Sequence, residues 1–446
     1  MTVATPKINA SPTKEFFVAV LVRDIILVDA IAELIDNSID GAKKVSSGEN
    51  FSKFHIFVKF SKNSFTIEDN CGGIPVEIAQ NYAFRFGRDE NATATNSPEL
   101  PIGQFGVGMK RSLFRIGDYF EVDSTAQNSS FAMDVDVNKW KSTKEWEFEF
   151  NKKYKPTQNS RLEDCGTKII VNSLHKNVSE DFATQNFESR LKVKIEAVHS
   201  EALTNGLKIK INEIELSGHK DELLISKDIK PFFKKITIGK KPNIVEAKIR
   251  AGISTKSKEN FGWYIYCNGR QVLKADKTKL TGWGSAASEV TVPQSHTQFD
   301  RFRGYVYFES KNASLLPWNT TKSGINENSE VYQSVRLEMI LALRQVVDFL
   351  NQLDKENDTE QKPLNEMVSK ASSANVLNIA SNKSSSFKFT PTKIEVSKMQ
   401  TISYKKATKE IERAKKLFKE RGQEANTNES VGKLTFEYFM DLEDES

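Results

Sequence analysis

The sequence predicts an α+β fold in several parts, and three patterns carry that expectation. In the first, Ile31, Leu34, Ile35 and Ile39 turn toward a core at helical spacing, while Glu33, Asn37 and Asp40 share another face at i, i+4 and i+7. The second is alternation at Phe54, Ile56, Val58 and Phe60, the mark of a half-buried strand. The third is a long helical pattern from Val331 to Leu353, with apolar Val335, Met339, Ile340, Leu343, Val346 and Leu350, which packs on its own domain or pairs with a partner.

Taken in order, an amphipathic helix from about Lys14 to Leu21 precedes the Glu33 helix, and strands are expected at Phe131 to Val137, Trp146 to Phe150 and Lys168 to Val171. These elements make a first domain, 1–200, with a mostly antiparallel sheet. A charged helix near Phe187 to Leu203 leads to strands at 207–211 and 214–216 around an Asn212-Glu213 turn. The second domain, 201–356, carries Asn268-Gly269 between apolar runs in the stretch Trp263 to Leu273, a strong hairpin signal. Residues 357–400 are polar and serine-rich and read as a flexible linker. The tail, 401–446, offers a strand-like piece at Thr401 to Tyr404, a basic helix through Lys409, Arg413, Lys415, Lys416 and Lys419, and a last helix through Val431, Leu434, Tyr438 and Phe439. That order fits either a ribbon-helix-helix dimer or a small helical hairpin that docks on a neighbour; basic residues on a helix are also commonly just solvated.

A chain of 446 residues suits about two to three domains. Cys71, Cys165 and Cys267 are scattered, without metal-ligand spacing, which favours a reducing compartment. No stretch has membrane-spanning length and the start has no apolar signal region, so the expectation is a cytoplasmic protein, with nucleoid or nucleus open. The net charge of +5 is mild and decides nothing about nucleic acid.

Four motifs carry chemistry. Glu33-Leu34-Ile35-Asp36-Asn37-Ser38-Ile39-Asp40 puts a polar stripe on one helix face, which is either solvated or turned to a cavity. In Ile67-Glu68-Asp69-Asn70-Cys71-Gly72-Gly73-Ile74-Pro75 a strand ends in a carboxylate and a glycine turn. An Asp there could close a hairpin. As an acceptor only, it could instead pair with an exocyclic amine such as that of adenine, leaving a guanine carbonyl unsatisfied. Ile102-Gly103-Gln104-Phe105-Gly106-Val107-Gly108-Met109-Lys110-Arg111-Ser112 is a glycine turn running into an apolar helix, where backbone amides can cradle phosphate. It is not a P-loop, because Met109 separates the last glycine from Lys110. Cys165-Gly166-Thr167 before a β-branched strand offers a hydroxyl for the Asp69 carboxylate or a water, although Gly-Thr there is otherwise unremarkable.

The four motifs together resemble the GHKL (Bergerat-fold) ATPases, the superfamily of Hsp90, MutL, type II topoisomerases and the MORC proteins. The resemblance implies an α/β sandwich that binds ATP and Mg2+. By it Glu33 is the general base, Asn37 the metal ligand, and Asp69 the adenine contact, with Gly73 letting the base approach the backbone. Asp40 shares the nucleotide-facing stripe; Gly103, Gln104, Phe105, Gly106, Val107 and Gly108 wrap the phosphates with Lys110 close by, and Thr167 completes the set. One position departs: the family has Gly two residues after the adenine-binding Asp, where this chain has Cys71, so the pair Gly72-Gly73 is read as a shifted variant. A single Asn oxygen suits magnesium, which keeps waters and phosphates in its shell, and Glu33 lies one turn away, where it could orient an in-line water. The polar run from about Asn81 to Pro101 suits a mobile lid, without which hydrolysis is slow.

Asn268-Gly269-Arg270 resembles a turn in the S5-like second domain of MutL, which transmits the nucleotide state. In MutL and MORC relatives a loop lysine from that domain reaches the γ-phosphate, and Lys322 in Leu316 to Ile325 is the candidate; a solvated surface lysine is the alternative. The resemblance further implies an ATP-dependent homodimer that closes as a clamp on duplex DNA, in a setting such as a restriction or antiphage system. A chaperone like Hsp90, or a scaffold recruiting a partner enzyme through the C-terminal module, are the other readings.

Overall fold

The computed structural model describes residues 12–23, 25–46, 50–86, 100–103, 108–287, 290–356, 362–379, 384–390 and 401–444. Contacts divide the chain into two units, Met1–Asn357 with Lys362–Ile394, and Asp358–Gln361 with Glu395–Ser446.

In the first unit α1 (Lys14–Arg23) and α2 (Leu27–Ser46) precede the hairpin β1 (His55–Ser61) and β2 (Ser64–Asp69). A turn of helix, α3 (Val76–Ile78), runs into a π-helical turn at Ala79–Ala83. Then come α4 (Gly108–Ile116), β3 (Gly117–Thr125), β4 (Ser130–Asp136), α5 (Val137–Ser142) and β5 (Gly166–Leu174). After α6 (Lys176–Phe182), α7 (Gln185–Val198) and α8 (Ser200–Thr204), the short strands β6 (Lys208–Ile211) and β7 (Ile214–Glu215) follow. The sheet order is β4-β3-β5-β2-β1-β6-β7. All its pairs are antiparallel except β1 with β6. This is a large mixed sheet in an α+β architecture. Its burial alternates along β1, where Ile56, Val58 and Phe60 are buried under the helical layer.

The first sheet therefore extends beyond the expected boundary at residue 200, because β6 pairs with β1 in register His55↔Lys208 to Val58↔Ile211. The expected strand at Trp146 to Phe150 is absent apart from one bridge, Met133↔Phe150. Its apolar side chains serve an aromatic cluster instead: Phe148 lies 5.3 Å from Trp140 and Trp146 lies 5.8 Å from Phe86, ring to ring.

The second sheet follows β8 (Glu222–Ile225) and β9 (Ile229–Lys230). It is built from β10 (Phe232–Lys240), β11 (Asn243–Ile253), β12 (Gly262–Cys267) and β13 (Arg270–Asp276), then, past a ribbon of β14 (Ala286–Ala287) and β15 (Val290–Thr291), from β16 (Phe302–Glu309). Its order is β10-β11-β16-β12-β13, with β12 and β16 parallel. The Asn268-Gly269 turn between β12 and β13 has φ of 48° and 81°, the left-handed pair that a two-residue hairpin needs. Helix α9 (Glu330–Lys355) buries Val335, Met339, Leu343, Val346 and Leu350 in the common core with β11 residues Val245, Ala247 and Ile249.

Much of the expected linker is folded. Helix α10 (Pro363–Ser369) is followed by β17 (Ser372–Asn375), which pairs with β8, and by β18 (Lys388–Phe389), which pairs with β9. Phe387 is buried against Phe349 of α9, with ring centroids 5.5 Å apart. In the second unit, α11 (Thr408–Glu420) and α12 (Asn428–Asp444) share a core of Phe418, Ala425 and Val431. Residues 401–404 form no strand in the single chain, and α11 and α12 pack against each other as two helices.

Candidate active site

Helix α2 supplies most of the site. Its apolar side faces the core, while Glu33, Asn37, Ser38 and Asp40 point at the loops that end β2 and begin α4. Asp69, at the end of β2, is held by three donors: Ser38 Oγ at 2.6 Å, Cys71 N at 2.8 Å and Thr167 N at 3.4 Å. Burial raises its carboxyl above the usual range, against the pull of those hydrogen bonds. The Thr167 hydroxyl does not reach Asp69 as expected. It pairs with Ser124 Oγ at 2.9 Å, because β3 and β5 run side by side with Ser124 opposite Thr167.

The cavity beside Asp69 encloses about 60 Å3 and is lined by Leu34, Asn37, Gly41, Gly73, Met109 and Ile169 among others. That is room for a few waters. Cys71 is buried, and the positive φ values fall on Gly72 (93°) and Gly73 (67°). A Cβ on Gly73 would stand 1.9 Å from Thr125 O, so no larger residue fits there.

On the phosphate side, Asp40 accepts from the amides of Ile102 (2.8 Å) and Gly103 (2.7 Å). It fixes the loop backbone. Gln104, Phe105, Gly106 and Val107 lie outside the described residues, as do residues 87–99 of the expected lid. Gly108 opens α4 directly against Glu33: a Cβ there would come 2.2 Å from Glu33 Oε2. Lys110 is buried. Its ammonium donates to the carbonyls of Ala83 (2.8 Å) and Arg85 (2.6 Å), so it anchors the chain entering the lid.

Behind this face lies a buried charge cluster that sequence reasoning did not assemble. Lys322 Nζ stands 3.1 Å from both Glu33 Oε2 and Asp36 Oδ2. Arg270 Nη1 donates to Asp36 Oδ1, and His199 Nε2 lies 3.6 Å from the same oxygen. Arg111 Nη2 stands 3.6 Å from Glu33 Oε1. All six side chains are buried. Burial works to raise the Asp36 carboxyl, but Arg270, Lys322 and His199 outweigh it and bring it down to about 2. Burial, aided by Arg270, Lys43 and Lys322, lowers His199 to about 3 despite Asp36, so the imidazole is neutral. Lys322 has φ 52°, in the left-handed region that a non-glycine residue enters at a cost. Arg270 and Asp36 were in plain sight within quoted motifs. The signal that could have found them is charge at positions whose neighbours are all apolar or turn residues.

The β12-β13 turn of the second sheet also meets residues 100–103. Asn268 Nδ2 donates to Pro101 O at 2.7 Å, and Lys43 Nζ bridges Leu100 O (3.0 Å) and Asn268 O (2.7 Å).

Residues 25–167 match the family model of the histidine kinase-, DNA gyrase B- and HSP90-like ATPases. That match supports a GHKL-type ATPase domain here. ATP binding and hydrolysis are the activities it supports, and the segment spans every element from α2 to the start of β5. No curated protein matches the chain. No helix among the described residues is long and apolar enough to cross a membrane. Among the described residues no cluster of three or more His, Cys, Asp or Glu could hold a metal. Asn37, exposed on the face that Gly103 approaches, fits a magnesium ion whose other ligands are waters and phosphates.

Proposed function

We propose that this chain is a Mg2+-dependent ATPase in which a second domain, S5-like in role, reads the nucleotide through Lys322. The observation that carries this reading is the seat of Lys322, 3.1 Å from the proposed general base Glu33 and reaching it from the far side of the sequence. In this reading Asp69 accepts from the adenine amine, the backbone of 103–108 wraps the phosphates, Asn37 lends an oxygen to the metal, and Glu33 orients the attacking water. A magnesium ion held through Asn37 would supply charge neutralisation of the phosphates. Lys322 leaves its carboxylates for the γ-phosphate, which frees Glu33 and repacks Asp36 against Arg270. The base is engaged by a cation until ATP is in place.

The clamp form of this reading adds that ATP-bound chains pair through their ATPase domains and close on duplex DNA, in a role like that of MORC or MutL within a restriction or antiphage system. Its support is the motif resemblance. A scaffold that recruits a partner enzyme is the second reading, favoured by α12, which leaves Phe436, Phe439 and Leu442 about half exposed (54%, 56% and 48%).

The deciding experiment is the solution mass of Glu33→Ala with ADP or a non-hydrolysable ATP analogue, with and without duplex DNA. Dimerisation with the analogue alone, and salt-dependent retention of DNA by that dimer, supports the clamp. An unchanged mass without DNA binding refutes it and favours the scaffold.

A further inference from the structure

A cleft where α7 lies against β13 encloses about 580 Å3, well within the size of small-molecule sites. Val193, Ala197, Val198, Val272 and Leu273 give it apolar walls, and Val193 is 61% exposed at its mouth. Arg190, Lys194 and Lys274 surround these walls, and none of the lining residues is acidic. Lys194 is paired with Asp29 at 2.9 Å, whereas Arg190 and Lys274 have no carboxylate partner among the described residues and are exposed. Arg190 also lies over the Phe187 ring, 5.8 Å from its centroid, and an apolar trough with two cations free of carboxylates is complementary to a molecule that is greasy at one end and anionic at the other.

We propose that this cleft is a regulatory site for a small amphipathic anion, a carboxylate or phosphate head on a short apolar body. Its position supplies the regulatory part. Val198 precedes His199, Gln271 follows Arg270, and Ser323 follows Lys322; all three of these neighbours line the cleft. Each group gathered around Asp36 is thus one peptide bond from the cleft wall. A ligand that spans α7 and β13 needs their present spacing, so it favours the arrangement in which the Asp36 cluster is assembled. Binding at the cleft is independent of the ATPase reading; only its effect on nucleotide affinity rests on that reading, in which ATP draws Lys322 out of the Asp36 cluster, so by linkage ATP and the ligand must weaken each other by the same factor.

Calorimetric titration of the full chain with sodium decanoate below its micellar concentration tests this, with decanol as the uncharged control. One decanoate per chain is expected, with decanol at least tenfold weaker. Arg190→Glu combined with Lys274→Glu, and separately Val193→Asp, should each weaken decanoate at least tenfold with unchanged melting. These side chains are exposed, and Lys274→Gln gives a milder second test of the same charge. Asp69→Asn, expected to lose ATP, should keep decanoate, which separates failure here from failure of the ATPase reading. Phosphatidylglycerol vesicles, which present the same chemistry only at a bilayer, should not bind. Absence of saturable binding, equal affinity for decanol, or decanoate affinity untouched by charge reversal overturns the proposal. So does self-association of the parent chain that Val193→Asp abolishes, which makes the cleft an interface between copies.

Discussion

Glu33 stands between Lys322 and Arg111, with Gly108 so near that no side chain could be added there. In the proposed reading the work of this enclosed carboxylate is to orient water. We therefore expect Glu33→Ala to keep ATP affinity within about threefold by calorimetry while turnover falls by about 10²-fold or more; turnover at the parent rate would remove Glu33 from the mechanism. The i, i+4, i+7 stripe of α2 was legible because helical phase is local. Partner choice was not. Ser38 reaches Asp69, and Thr167 turns to Ser124, because register pairs Thr167 with Ser124 on one side and Asp69 on the other, a contact set by residues about forty and a hundred positions apart. Lys110, read beside the glycines, is seated on lid carbonyls by the same kind of long-range geometry.

At the scale of elements, the loop that carries Lys322 inserts a cation between two carboxylates of α2. Lys322→Ala should cut hydrolysis about tenfold while leaving ADP affinity within about twofold, since ADP has no γ-phosphate; equal loss of both nucleotides would refute the assignment. The junction of α7 and α8 makes a second prediction. His199 has a folded pKa of about 3 against an ordinary 6.5. Between those values the unfolded chain takes up a proton that the folded chain refuses, so stability declines as pH falls from about 6.5 toward 3. Asp36, lowered from 3.8 to about 2, adds its own loss only as pH falls through that lower window. Melting of His199→Asn should be flatter than the parent between pH 6.5 and 4.5, and an unchanged slope would place the proton uptake elsewhere. The break at His199 was invisible in the sequence because both flanks keep helical periodicity. The missing strands at 146–150 and 401–404 had the composition of strands, but a strand exists only with a neighbour to pair with.

Across the whole molecule, the α+β class and most strands of the first sheet could be anticipated from the sequence, the second sheet only through its β12-β13 hairpin, while the fate of residues 357–400 could not. Their composition is that of a linker, but Phe387 and Phe389 find α9, and β17 and β18 find the exposed edges of β8 and β9. Phe387→Ala should cost about 3–5 kcal/mol, read as a lowered unfolding midpoint in urea, if this strap is part of the fold; a change under about 0.5 kcal/mol would make it an accessory. The loop at 100–103 is gripped from both sides, by Asp40 through its amides and by Asn268 and Lys43 through its carbonyls. The strip of backbone that leads into the phosphate motif is therefore also a mechanical coupling. Tension applied between the two domains is transmitted straight to it, and the dwell time of a bound nucleotide should shorten under load. A single-molecule pulling experiment that tracks fluorescent ATP on the tethered chain would register that as a force-dependent off-rate, and Asn268→Ala should uncouple it.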